Sequence, residues 1–143
     1  MTKFIERVHV YIDGCSKKNP GPSAIGVVIL DDDGNLLREF GKYVGQGTNQ
    51  EAEYKALLEA LDCLPDICTL DICIHSDSQL VINQMIRKFR IHKKHLQKLH
   101  EQARQKEVTF RNVEYYHVPE TNKWIKRADK LADAALSDFQ RGN

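Results

Sequence analysis

These 143 residues lack several things, and each absence excludes something. No apolar run approaches the about eighteen residues that a membrane-spanning helix needs, so no membrane partner is expected. The opening MTKFIERVHV has no apolar core of the kind that directs export. None of the four cysteines, Cys15, Cys63, Cys68 and Cys73, forms a C-x-x-C pair, and the histidines complete no zinc-finger spacing. Reduced, mostly buried thiols in a cytoplasmic protein are the expectation. An excess of charge of one sign is also missing. The formal net charge is +1, so no global basic field announces nucleic acid, although a local patch remains open. No internal repeat or low-complexity linker divides the chain, which reads as a single domain over residues 1–143 and as a monomer.

What is present is an ordinary globular balance. Apolar residues make up 41% and charged residues 29%, enough apolar content for a core built without disulfides. VHVYIDG (8–14) is β-rich and stops at Asp-Gly, and the turn chemistry of Asn19-Pro20-Gly21-Pro22 follows. AIGVVIL (24–30) and LLREFGKYVG (36–45) flank a short polar link containing Asp33-Gly34, the pattern of an antiparallel hairpin. Thr48 with Glu51 three residues on predicts a capping box opening a helix that Pro65 limits. LDICIH (70–75) is a fourth strand running into SDSQLVINQMIRK (76–88), where Ser76 or Ser78 can cap a second helix. KKHLQKLHEQARQK (93–106) predicts a third helix, VTFRNVEYYHV (108–118) a last strand and NKWIKRADKLADAALSDF (122–139) a last helix. The order β-β-β-α-β-α-α-β-α argues for an α/β fold: a mixed sheet flanked by helices, with ligands expected at the carboxyl ends of strands.

Four carboxylates stand where such a fold invites chemistry. Asp13 closes the first strand and Asp77 the fourth. Singly, each has a bland explanation, as a turn residue or as a helix N-terminal charge. Glu53 is harder to dismiss. Glu51 already serves the cap, and Glu53 lies on the stripe of Leu57, Leu61 and Leu64 that must face the sheet. Asp129 repeats the anomaly in the last helix, four residues after Ile125 and three before Ala132, so it is expected to face inward. Four converging carboxylates repel one another and raise their own pKa values. A hard divalent cation resolves that conflict, and two of them, Mg²⁺ or Mn²⁺, can clamp the oxygens of a phosphodiester displacement.

In this order, YIDGCSKKNPGPSAIGVVI, GTNQEAEYKALLEAL, IHSDSQLVINQM and RADKLADAAL resemble the motifs of type 1 ribonuclease H, particularly its short bacterial and archaeal form. The resemblance covers residues 8 to about 136. It implies a ribonuclease H-like fold with a five-stranded mixed sheet (a three-strand antiparallel meander plus parallel strands) and helices on both faces. It implies metal-dependent hydrolysis of the RNA strand of RNA/DNA hybrids, leaving 5′-phosphate and 3′-hydroxyl ends. The metal ligands would be Asp13, Glu53, Asp77 and Asp129, holding two Mg²⁺ or Mn²⁺. His117 occupies roughly the place of the family's mobile histidine, its bland alternative being a strand-end surface residue. Gly14, Cys15 and Ser16 would lie beside ribose hydroxyls, and Thr48, Asn49 and Gln50 match a substrate-contacting turn. Two departures are visible: the family sets an asparagine about one turn before the last aspartate, whereas Asn122 is seven residues before Asp129, with extra residues around Lys123-Trp124-Ile125, and the stretch between the fourth and last strands leaves little room for the basic protruding handle of some relatives. The alternatives in view are a hybrid-binding module of the same fold with little turnover, or a nuclease of the superfamily acting on DNA.

RKFRIHKKHLQKLH (87–100) concentrates basic residues, Lys93 and Lys94 among them. Such a run is ordinarily a solvated helix face; beside the carboxylates it reads as a phosphate-holding segment. Lys17 and Lys18 can add contacts of the same kind, and Trp124 is expected in the core.

Overall fold

The structure, a computed structural model, describes residues 4–87 and 90–142. Strands β1 (Arg7–Ser16), β2 (Gly21–Asp31) and β3 (Leu36–Gly47) form the meander. They are followed by α1 (Asn49–Cys63), β4 (Asp71–Ser76), α2 (Gln79–Met85), α3 (Lys94–Glu107), β5 (Asn112–His117) and α4 (Lys123–Arg141). The sheet has five strands in the order β3-β2-β1-β4-β5. The β3–β2 and β2–β1 pairs are antiparallel, and β1–β4 and β4–β5 are parallel. The expected mixed sheet is therefore present, open and with β1 in the middle.

Alternation along the strands sorts the side chains onto two faces. Val8, Val10 and Ile12 of β1 and Ile25, Val27 and Ile29 of β2 join Tyr54, Leu57, Leu61 and Leu64 in the main core under α1. The opposite face is covered by α4, whose Ala128 packs with Val28 and Leu30. Two close approaches fix where these helices lie. A Cβ on Gly14 would stand 2.5 Å from the carbonyl of Ala52, so only glycine lets α1 sit this near β1. A Cβ on Gly26 would stand 1.9 Å from the Ala128 carbonyl oxygen, which seats α4 on β2 one residue before Asp129.

The capping box at Thr48 and Glu51 is present, and Ser78, not Ser76, caps α2 by accepting from Val81 N–H at 3.3 Å. Other expectations need correction. The second helix ends at Met85; of the predicted remainder, Lys88 lies outside the described residues. The last strand begins at Asn112, not Val108. Residues 108–111 turn out of α3, with Thr109 and Phe110 N–H bonded to the Lys106 and Glu107 carbonyls, and Phe110 is buried in the core. Trp124 is half-buried, beside Tyr11 and against the Val28, Leu30 and Ala128 cluster on the α4 side of the sheet, and not fully in the core. Of the cysteines, all free, Cys68 and Cys73 are buried and Cys15 and Cys63 only partly so. Among the described residues no helix is long and apolar enough to cross a membrane.

Candidate active site

The central strands β1 and β4 run parallel and side by side, so residues late in β1 and just past β4 arrive at one edge of the sheet. Asp13 pairs with Gly26 across the β1–β2 ladder and shares its face, the face of α4. Asp77 follows the last residue of β4, in the bend before the Ser78 cap; it does not close the strand itself. Glu53 comes from the first turns of α1, delivered by the close contact at Gly14. One ligand oxygen from each of Asp13, Glu53 and Asp77 falls within 4.8 Å of the others.

Asp13 and Glu53 are each only 8% exposed, which few carboxylates in a folded protein are without a positive partner. Glu53 Oε1 accepts from Gly14 N–H at 2.6 Å, but its Oε2 is buried with no donor. Burial pushes the Asp13 carboxyl far above its usual range, and the neighbouring Glu53 and Asp77 push it further. Burial raises Glu53 as well, against the lowering effect of its bonds with Asp13 and Gly14. Asp77 is raised by burial, then by Glu120 and Asp129, while His117 nearby pulls it down.

Asp129 departs from expectation. Its side chain is exposed, not inward-facing, because it lies at the edge of the Ile125–Ala128–Ala132 stripe. It nevertheless lines one cavity of about 350 Å³ with Asp13 and Asp77, close enough to Asp13 to raise that carboxyl. The same cavity is lined by Glu120, Thr121 and Lys126. Sequence reasoning passed over these three; their only signal was a place on the loop and first turns that follow His117. His117 ends β5, exposed, paired in register with Ser76 and so beside Asp77.

The matches to known proteins now have a geometry to meet. A family model described as Reverse transcriptase-like matches residues 11–135. The curated Ribonuclease HI of Halobacterium salinarum is 39% identical over 132 residues, 92% of this chain and 65% of that protein. The crystal structure of RNase H1 from the same halophilic archaeon superposes with a TM-score of 0.87, covering 92% of this chain and 98% of that one at 39% identity. This chain belongs to the type 1 ribonuclease H family. A second ribonuclease H1, LC11-RNase H1, whose structure is in complex with RNA/DNA hybrid, matches with a TM-score of 0.85 and 32% identity, over 93% of this chain and 99% of that one. The bifunctional protein Rv2228c of Mycobacterium tuberculosis is 33% identical over 131 residues, 91% of this chain. The chain thus spans 65% of the curated archaeal relative and 35% of the mycobacterial one.

Within this ribonuclease H frame the two segments expected to contact substrate, the end of β1 and the start of α1, touch each other. Ser16 N–H donates to Asn49 Oδ1 at 2.7 Å, Ser16 Oγ donates to the Gly47 carbonyl at 2.6 Å, and Asn49 N–H donates to Asn19 Oδ1 at 2.9 Å. The N–H groups of Gly14 and Ser16 are therefore committed to scaffolding. What remains for a ligand is the NH₂ of Asn49, whose oxygen is fixed by Ser16, together with Gln50. The Cys15 thiol, pushed up to about 11 by burial and by Asp133, stays protonated. Thr48 is spent on the cap. Lys93 stands at the start of α3 and reaches Gln50 Oε1 at 3.4 Å, which brings the basic segment to the edge of the same turn. Lys94 is exposed next to it, whereas Lys17 is drawn to Gln140 of α4.

Proposed function

We propose that this protein hydrolyses the RNA strand of RNA/DNA hybrids with two divalent cations, Mg²⁺ or Mn²⁺, at Asp13, Glu53, Asp77 and Asp129. The observation that carries the reading is the convergence of Asp13, Glu53 and Asp77 within 4.8 Å, two of them buried. The donor set suits a hard cation: it is all oxygen, it includes the orphaned Glu53 Oε2, and the Asp13 and Glu53 carboxyls are raised by burial and by the neighbouring carboxylates. When bound, such cations supply an activated water and offset charge developing on the phosphate.

The chain's own groups set the rest. Water forms the new bond to phosphorus, the P–O3′ bond breaks, and a proton passes to the leaving 3′ oxygen, giving 5′-phosphate and 3′-hydroxyl ends. His117, beside Asp77, shuttles a proton or escorts water. Asn49 and Gln50 favour a strand with 2′-hydroxyls, since phosphates alone do not tell RNA from DNA. Lys93 and Lys94 hold backbone phosphates and give affinity without base readout. The relatives named Ribonuclease HI and the hybrid complex of LC11-RNase H1 support the same substrate. A monomeric, cytoplasmic, single-domain enzyme is the form proposed.

The test uses three end-labelled duplexes of one sequence, hybrid, all-DNA and all-RNA, with and without EDTA. Cleavage of the hybrid's RNA alone, abolished by EDTA and leaving 5′-phosphates, is expected. Equal cutting of the DNA duplex, or cyclic phosphates on the products, overturns the mechanism.

A further inference from the structure

A second cleft, of about 490 Å³, opens beside the carboxylate cavity along the first turns of α4, lined by Thr121, Lys123, Trp124, Lys126, Arg127 and Lys130. It shares Thr121 and Lys126 with that cavity, so a chain lying over the carboxylates passes into it without a gap. Asn122, seven residues before Asp129, sets it up by accepting from Trp124 and Ile125 N–H at 2.9 and 3.1 Å, which caps the start of α4. Ile125 and Ala128 then turn into the protein while Lys123, Lys126 and Lys130 stay exposed.

The two clefts have opposite polarity. The second contains no carboxylate. Arg127 is neutralised by Glu39, with bonds of 2.9 and 2.6 Å, but among the described residues Lys126 and Lys130 have no ion-pair partner. Trp124 leans on Tyr11, ring centres 6.5 Å apart, and is only half-buried. The Lys123 ammonium lies 4.8 Å over its ring, on a face that a flexible side chain can vacate. Ammonium groups around an accessible indole fit a phosphate and a base together. Within a duplex the base faces are covered by their neighbours, so the base that meets Trp124 must be unpaired.

We propose that this cleft binds an unpaired nucleotide of the RNA strand where that strand runs past the end of a hybrid, its base on Trp124 and its phosphates near Lys126 and Lys130. The assignment of the strand rests on the nuclease reading above. The enzyme then engages junctions between hybrid and single-stranded RNA more tightly than blunt hybrids.

Trp124 is the only tryptophan of the chain, so intrinsic fluorescence reports from this cleft alone. The full chain carrying Asp13→Asn, with Mg²⁺, is titrated with a blunt hybrid and with the same hybrid bearing short RNA extensions at the 5′ or the 3′ end, or matching DNA extensions. An RNA extension at one end at least should quench the fluorescence and tighten Kd about tenfold, the size of one base–aromatic stack. Trp124→Leu, which keeps an apolar body beside Tyr11, should bring the blunt-to-extended Kd ratio close to one. Lys123→Glu with Lys130→Glu, both on exposed residues, should reduce the same ratio. No quenching and equal affinity with every RNA extension overturns the proposal, as does an equal gain from DNA extensions. Cleavage of the blunt hybrid by the unmodified protein tests the nuclease reading separately: a blunt hybrid left uncut alongside a preserved extension effect removes that reading and keeps the cleft.

Discussion

The backbone N–H of Gly14 donates to Glu53 Oε1 at 2.6 Å, and the same glycine, by having no side chain, lets the Glu53 backbone come near enough for that bond. One residue thus both admits α1 to the sheet and aims its carboxylate. Gly14→Ala would place a Cβ 2.5 Å from the Ala52 carbonyl and 2.7 Å from Glu53 N, in backbone that cannot step aside as a side chain can. The expected cost is about 1–3 kcal/mol, as for other overpacked sites. It is read as a lower urea midpoint, and hybrid cleavage should fall further than the loss of folded protein explains.

A second stability test lies one residue along the same helix. Tyr54 is buried and its hydroxyl donates to Gln84 Oε1 at 2.5 Å, tying α1 to α2. Tyr54→Phe keeps the ring but leaves a buried amide oxygen unpaired, which costs about 1–3 kcal/mol. Chemical denaturation with an unchanged m-value is the check. A midpoint equal to that of the parent protein would mean that Gln84 finds another donor.

How much of this was legible beforehand depends on the range of the interaction. The capping box, the strand before Asp77 and the inward stripe of α1 are local patterns, and each is where the sequence puts it. Asp129 was read as inward because helical spacing aligned it with Ile125 and Ala132. Spacing does not say how far a helix overhangs a cavity, and here its edge carries Asp129 into the open. Val108 to Arg111 have strand-like composition, yet the C-terminus of α3 claims the N–H groups of Val108, Thr109 and Phe110 first. Gly26 gave no sign of the Ala128 carbonyl it accommodates, nor Lys93 of Gln50, since each partner is set by the assembled fold.

The contact of Lys93 with Gln50 leads to a prediction about salt. A lysine that neutralises one phosphate releases about one counterion, whatever the base sequence. Lys93→Ala should weaken hybrid binding uniformly across sequences and lower the slope of log K against log salt by about one. Binding isotherms over a range of salt concentrations measure it, and an unchanged slope would remove Lys93 from the phosphate track.

His117 is exposed at the end of β5 and influences Asp77. A residue so placed assists turnover more than it holds substrate. His117→Ala should lower kcat by about 10²-fold, the low end for a general acid–base group, with Kd for the hybrid nearly unchanged. Weak hybrid binding with normal turnover at saturation would instead make it a substrate contact.

The last prediction joins the site's electrostatics to its chemistry. Asp13 and Glu53 have pKa values raised above those of the unfolded chain, chiefly by burial. Above the ordinary carboxylate range the metal-free native state therefore binds more protons than the unfolded state. Linkage then makes stability fall as pH rises, from weakly acidic conditions through the raised pKa values. The contribution is whole at acid pH and lost at alkaline pH, the reverse of a salt-bridged aspartate. Asp13→Asn keeps the shape, removes one of the repelling charges and should flatten this slope, adding roughly 1–2 kcal/mol to metal-free stability at alkaline pH, one pKa unit being about 1.4 kcal/mol. Cations that bind the carboxylates stabilise the native state of the parent protein and compete with its protons, so Mg²⁺ should restore stability at high pH far more in the parent than in the variant. The variant should also lose hybrid cleavage by at least about 10²- to 10³-fold, since it removes charge where transition-state charge is stabilised. Urea unfolding at several pH values with EDTA or Mg²⁺, beside a cleavage assay on the same preparations, checks every part. A parent protein whose metal-free stability rises with pH would refute the raised pKa values, and parental cleavage rates in the variant would take Asp13 out of the active site.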